Sequence, residues 1–240
     1  MLFSSKCGIL LPTTYDVGWS MLHIVYENKS LVVCEKPVGV LSERGQNPRE
    51  KCMPALLEAQ TRTYRIDVVH RLDKAVGGLM VFSKKAAASA SLSKQIAARQ
   101  MVKEYLAAVS GRPAEETGEW RDWLFRDKAK NKSFTVKGPR PGAKEAVLTY
   151  RVLETVTGPE GEISLLRITL HTGRTHQIRV QCASRRMPLL GDGKYGSRVD
   201  IPEIALWSHH LAFTDPETGK PLDFTLPPPD KVPWSRFKGV

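Results

Sequence analysis

The sequence predicts one domain of α+β type, on three observations. β-prone runs recur between turn residues along most of the chain. Helical spacing is confined to 54–62, 85–100 and the end of 172–186. The 240 residues, 41% hydrophobic and 25% charged, suffice for a packed core and exclude a fibrous or disordered chain. No internal repeat, low-complexity tract, P-loop or GxGxxG sequence occurs.

Met21–Tyr26 and Leu31–Glu35 read as a hairpin around the turn-prone Glu27-Asn28-Lys29-Ser30, ending at Lys36-Pro37, where proline cannot donate to a ladder. A helix follows over Pro54–Arg62, then a strand at Ile66–Val69 and another at Gly78–Ser83. Lys85–Gln100 is alanine-rich with Ala88, Leu92 and Ile96 four residues apart, the stripe of a helix packed on one side. Val102–Val109 alternates, placing Lys103, Tyr105 and Ala107 on one face of a strand. Further strands are expected at Glu119–Phe125, Ser133–Val136, Ala146–Thr155 and Ile163–His171, then a turn and helix over Thr172–Arg186. Leu206–Phe213 pairs with Leu222–Leu226 across Asp215-Pro216-Glu217-Thr218-Gly219, and the proline-rich tail from Pro227 reads as irregular. The boundaries that result are an N-terminal extension at 1–20, a domain at 21–228 and a C-terminal tail at 229–240.

Lys plus Arg outnumber Asp plus Glu by 36 to 25, giving +11 at neutral pH and a pI near 9.6. Such an excess favours a polyanion, either nucleic acid or an anionic membrane surface. No run approaches the roughly 20 apolar residues of a membrane span, and Met1–Pro12 lacks the basic and apolar regions of a leader, so the expected location is cytoplasmic, with no membrane partner. Cys7, Cys34, Cys52 and Cys182 form no CxxC pair, and His171 and His176 stand five apart without an HExxH. Reduced thiols and no metal are therefore expected.

Seven basic residues lie between Arg126 and Lys144 (Arg126, Lys128, Lys130, Lys132, Lys137, Arg140, Lys144) against the single acid Asp127. A hairpin of that composition suits a phosphate backbone. A second cluster, Arg174, Arg179, Arg185 and Arg186, falls in the helical segment after His171. With Trp120, Trp123, Phe125 and Phe134 nearby, the two clusters favour RNA, bound by backbone charge and base stacking.

Arg71-x-Asp73 is by itself a weak signal, since such pairs are usually salt bridges within the protein. Its surroundings are more specific. His70-Arg71-Leu72-Asp73 followed by Gly77-Gly78-Leu79-Met80-Val81-Phe82-Ser83-Lys84 resembles the signature of the RluA-type pseudouridine synthases. Val102-Lys103-Glu104-Tyr105-Leu106-Ala107, Gly173-Arg174-Thr175-His176-Gln177-Ile178-Arg179 and Leu190-Gly191-Asp192-Gly193-Lys194-Tyr195-Gly196 resemble later segments of that family, in its order. Glu35-Lys36-Pro37 is similar to its start, so the resemblance covers about residues 20–228.

The resemblance implies a pseudouridine synthase fold, a central and mainly antiparallel sheet flanked by helices with a catalytic cleft. It implies isomerisation of a uridine in ribosomal or transfer RNA without a cofactor, on a base flipped out of its stack. Asp73 becomes the catalytic carboxylate, by covalent attack or by removal of a sugar proton, and Arg179 its ion-pair partner, because a buried carboxylate otherwise favours its neutral form. Tyr105 would stack on the target base, Ile178 would floor the tyrosine ring, and Arg71 would enter the RNA where the nucleotide left. Sharing a face with Lys103 suggests a wet, anionic neighbour for Tyr105. His70 and His176 are taken as structural or RNA-contacting.

The chain departs from the family pattern at Val76-Gly77, where Thr-Ser is common, and its first 20 residues are too few for an S4-type RNA-binding domain. A monomer is expected. Two other readings compete: a non-catalytic RNA-binding or ribosome-assembly factor on the same fold, and a nucleosidase or glycosidase pairing Asp73 with Asp67.

Overall fold

The computed structural model describes residues 21–159 and 161–239, so the extension expected at 1–20, with Cys7, lies outside the described residues. The strands are β1 (Ile24–Glu27), β2 (Leu31–Lys36), β3 (Asp67–Val68), β4 (Gly77–Ser83), β5 (Val102–Ser110), β6 (Thr117–Asp127), β7 (Lys132–Val136), β8 (Ala143–Gly158), β9 (Gly161–Leu170), β10 (Leu206–Thr214) and β11 (Pro221–Thr225). The helices are α1 (Met53–Thr61), α2 (Ala86–Ala97) and α3 (Gln177–Ser184). All eleven strands join one sheet in the order β1-β2-β4-β10-β5-β9-β8-β6-β7, with β11 on β10 and β3 on β4. Every pairing is antiparallel except β10 with β4.

Alternation along the strands divides the core between the two faces of this sheet. Val32, Cys34, Met80, Phe82, Tyr105 and Ala107 face α1 and α3, meeting Met53, Leu57, Ile178 and Cys182. Leu31, Val33, Leu79 and Val81 face the other way, where Leu92 of α2 seals them. On that same opposite side Leu106 and Ala108 pack with Trp207, Trp234 and Phe237. The stretch after Pro227 is therefore not irregular throughout: a 3-10 turn at Trp234–Arg236 carries two buried aromatic side chains onto the sheet.

Helix ends follow local chemistry. α2 stops at Ala97 rather than Gln100, because Arg99 turns left-handed (φ 58) and the N–H of Gln100 returns to the carbonyl of Gln95, a Schellman closure. α3 ends in the same way, with Arg186 at φ 62 and Met187 N–H on Cys182 O.

The lone parallel pairing explains Gly77-Gly78. Trp207 and Ser208 of β10 lie opposite these glycines. A Cβ on Gly77 would sit 2.5 Å from the Trp207 ring, and one on Gly78 (φ +113) would sit 2.3 Å from the Ser208 carbonyl. A serine at 77 would crowd the indole, so the glycine makes room for this tryptophan. The loop just before these glycines carries Asp73.

Candidate active site

The loop between β3 and β4 is pinned residue by residue. Leu72 is buried, and Ser42 both donates to its carbonyl (2.7 Å) and accepts from its N–H (3.0 Å). The carbonyl of Lys74 receives the N–H of Gly39 (2.8 Å) and the ammonium of Lys36 (3.3 Å), while Val76 N–H returns to the carbonyl of Asp73 (2.9 Å). Lys36 is fully buried and also donates to Pro37 O and Val40 O, each at 2.8 Å. Burial draws its pKa down to about 8, against the opposing pull of the Asp73 charge. Asp73 is thus presented by a loop with little freedom, a precondition for catalysis by positioning.

Arg179 reaches Asp73 from α3: its Nη1 donates to Asp73 Oδ2 at 3.0 Å. Oδ1 receives no hydrogen bond among the described residues, and the Asp73 side chain keeps 27% of its surface open. Arg179 itself is buried and fixed from behind by Asp192, which accepts from Nε at 2.7 Å and from Nη2 at 2.8 Å. Burial disfavours the Arg179 charge, but Asp192 and then Asp73 outweigh it and raise the guanidinium pKa. The guanidinium also lies over the ring of Tyr195, 5.1 Å from its centroid.

His176 stands beside this pair, its Nε2 3.7 Å from Asp73 Oδ2, too far for a hydrogen bond. Its Nδ1 lies 2.9 Å from the hydroxyl of Tyr195, which accepts the N–H of Ser133 at 2.9 Å. The neutral imidazole takes the hydroxyl proton at Nδ1 or gives the hydroxyl its own, according to the tautomer. Burial, with the charges of Arg179 and Lys194, lowers the His176 pKa and favours this neutral form.

Tyr105 and Ile178 belong to one buried cluster beside the site. The surroundings of Tyr105 are drier than its pairing with Lys103 suggests: the tyrosine is 5% exposed, and burial, then the Asp73 charge, raises its pKa. Arg71 does not pair with Asp73. It is an exposed side chain bound to Glu43 (2.6 Å), on a surface where such a pair contributes little. Asp67, the acid needed for a paired-carboxylate glycosidase, is bonded to Arg65. The carboxylate that belongs with Asp73 is Asp192, beyond the guanidinium.

The two basic clusters part company. In the β6–β7 hairpin, Arg126, Lys128, Lys130 and Lys137 are exposed, as is Lys144 at the start of β8. Lys132 instead caps the Tyr195 ring (5.0 Å) and donates to Lys194 O, joining this hairpin to the site. The arginines of 174–186 do not form one free basic face: Arg179 is buried, Arg185 pairs with Asp122 at 2.9 Å and Arg174 donates to Glu145 O, while Arg186 is exposed. Trp120 is no stacking platform either, being 7% exposed between Tyr150 and the Arg185 guanidinium.

Sequence reasoning assigned no role to Asp192, Tyr195 or Lys36. The one signal for Asp192 was its place between Gly191 and Gly193. Gly191 is left-handed (φ +76), and a Cβ there would strike the Glu203 carbonyl at 2.4 Å. The turn is therefore constrained.

A carboxylate held by a buried arginine, on this sheet and beside an exposed basic hairpin, is what the resemblance to the pseudouridine synthases, a class of RNA-modifying isomerases, implies. The family model for RNA pseudouridylate synthases matches residues 30–184, and the chain belongs to that family. It is 36% identical over 230 residues to ribosomal large subunit pseudouridine synthase D of Vibrio cholerae, covering 88% of this chain and 68% of that one. The protein of the same description from Borreliella burgdorferi is 32% identical over 217 residues, 86% of this chain and 63% of its own. The chain thus spans about two thirds of the length of these relatives. Among solved structures, human RNA pseudouridylate synthase domain containing 4 shares the fold, with a TM-score of 0.70 at 23% identity over 86% of this chain and 88% of the other.

Proposed function

We propose that this chain isomerises a uridine of large-subunit ribosomal RNA, as a cytoplasmic monomer, with Asp73 as its catalytic carboxylate. The observation that carries the reading is the asymmetry of Asp73: Oδ2 is held by Arg179, and Oδ1 has no hydrogen bond among the described residues. The ribosomal substrate is supported by the names of the relatives at 34–36% identity.

In the reaction the bond between N1 and C1′ breaks, the uracil turns, C5 joins C1′, and the proton leaves C5 as N1 gains one. No atom is gained or lost overall. Oδ1 of Asp73 is the oxygen available to attack covalently or to take a sugar proton, while Arg179 supplies a fixed counter-charge that need not reorganise during the reaction. Tyr105 and Ile178 supply an apolar wall for the base, and Arg71, held only by an exposed ion pair, is free to leave Glu43 for the RNA.

The test is carbodiimide mapping of pseudouridine in total RNA from cells with the gene, without it, and with only the Asp73→Ala form. One large-subunit uridine should lose modification in the deletion and stay unmodified in the Ala strain. Purified Asp73→Ala should still fold and bind RNA. Restoration by the Ala form would remove Asp73 from the chemistry, and a lost site in transfer RNA would correct the substrate.

A further inference from the structure

We propose that Lys103 is a phosphate-binding residue, whose ammonium receives a backbone phosphate of the extruded nucleotide while the base lies against Tyr105. The proposal rests on the isomerase reading above and names a contact that reading leaves open.

Lys103 shares a face of β5 with Tyr105, two residues on, so their Cα atoms are about 7 Å apart along the strand. A Cβ on Gly173 would lie 4.0 Å from Lys103 Nζ, so the ammonium stands against the backbone of the loop leading to His176. His70 of the Asp73 loop lies within reach of its charge. Burial, then the charge of Lys103, draws the His70 pKa down to about 3. Lys103 thus stands against the loop that leads to His176, and its charge is felt in the loop that carries Asp73.

The ammonium has no partner there. No hydrogen bond or ion pair joins Lys103 Nζ to any described residue, although burial lowers its pKa. Glu104, its neighbour in sequence, points to the opposite face of the strand and is engaged by Thr169 and His210. The imidazole of His70 offers no acceptor either, because its Nε2 takes the N–H of Val81 at 3.1 Å, which leaves the proton of the neutral ring on Nδ1. A half-buried cation without an acceptor is costly to keep and marks a place where an anion is received.

The anion is a phosphodiester, because a uracil carbonyl would leave the charge uncompensated, and a compact ammonium suits a phosphate oxygen. A nucleotide with its base on Tyr105 brings its own backbone within reach of a lysine stem two residues away.

RNA from cells lacking the gene carries the target unmodified and serves as the probe, with enzyme in excess and conversion followed by carbodiimide mapping at several salt concentrations. Lys103→Met should raise the half-saturating enzyme concentration roughly five- to tenfold and lower the salt slope by roughly 0.7 to 0.9, the loss of one phosphate contact. Its rate at saturation should stay within about threefold, as expected when uniform binding is removed. Lys103→Arg should recover most of the affinity and the slope. Lys103→Gln, with an unfolding curve, controls for misfolding. Unchanged half-saturation and slope in Lys103→Met would overturn the proposal while leaving the isomerase reading intact. Loss of rate at unchanged half-saturation would also overturn it, placing Lys103 in proton transfer. No conversion by the wild type would instead sink the isomerase reading.

Discussion

Asp192 grips Arg179 by two nitrogens, at 2.7 and 2.8 Å, and leaves only Nη1 to turn toward Asp73. The bidentate contact fixes the plane of the guanidinium, and that plane fixes which oxygen of Asp73 is held. A monodentate arginine alone could swing within the cleft. Asp192 thus orients Asp73 through Arg179, and in the proposed reaction it is a positioning residue.

Replacement of Asp192 by Asn should therefore lower the single-turnover rate by up to about 100-fold, the order lost when a reacting group is misplaced by about 1 Å, with little change in RNA affinity. It should also lower unfolding stability by about 3 kcal/mol, because the guanidinium stays buried with less compensation. Single-turnover kinetics and urea unfolding on one preparation check both. A rate loss fully explained by unfolded protein would reduce Asp192 to a structural role.

The clash between residue 77 and Trp207 predicts a coupled pair. Gly77→Ser should destabilise the fold by about 1–3 kcal/mol through overpacking. In a Trp207→Leu background the same change should cost less, with a coupling of about 1–3 kcal/mol between the two sites. A double-mutant cycle by denaturant unfolding measures it. Additive costs would mean that the serine, not the indole, is unsuited to the position.

How much of this site could be read from the sequence depended on distance along the chain. The two-residue period of β5 placed Tyr105 and Lys103 on one face, because pleating is local. The pairing of Arg179 with Asp73, 106 residues apart, came only from family resemblance. Asp192 looked like a polar loop residue among glycines, since nothing local shows that its carboxylate is buried under a guanidinium. The arginines of 174–186 were misread for the same reason. Spacing displays their charge, but Asp122, which occupies Arg185, arrives from β6, 63 residues away. Trp120 next to a basic run resembled a stacking surface until Tyr150 and Arg185 covered it.

The hairpin lysines differ in a way that salt can reveal. Lys128, Lys130 and Lys137 are exposed, with no side-chain partner among the described residues. Changing all three to Gln should reduce the salt slope of RNA binding by about 2 to 3, at 0.7–0.9 per lost contact, and leave the rate at saturation unchanged. Lys132→Gln should behave differently, lowering stability as well, because its ammonium stands over Tyr195 and bonds Lys194 O. Filter binding across a salt series separates the two. An unchanged slope in the triple variant would remove the hairpin from the RNA footprint.

Lys36 ties stability to pH. Its pKa is about 8 in the folded chain, against 10.5 for an ordinary lysine. Between those values the unfolded chain holds a proton that the folded chain has released, so raising the pH through this window stabilises the fold. The whole difference amounts to about 3 kcal/mol, present as a penalty below pH 8 and relieved by pH 10.5. Lys36→Met cannot titrate, so the wild type should gain on this variant by that amount as urea unfolding is repeated from pH 7.5 to 10.5. The charge of Asp73 works against the burial of Lys36. In Asp73→Asn the lysine should therefore release its proton at lower pH, moving the start of the window below 8. A wild-type advantage that stays flat with pH would show that three carbonyl bonds hold the ammonium charged throughout, and that Lys36 anchors the Asp73 loop without responding to it.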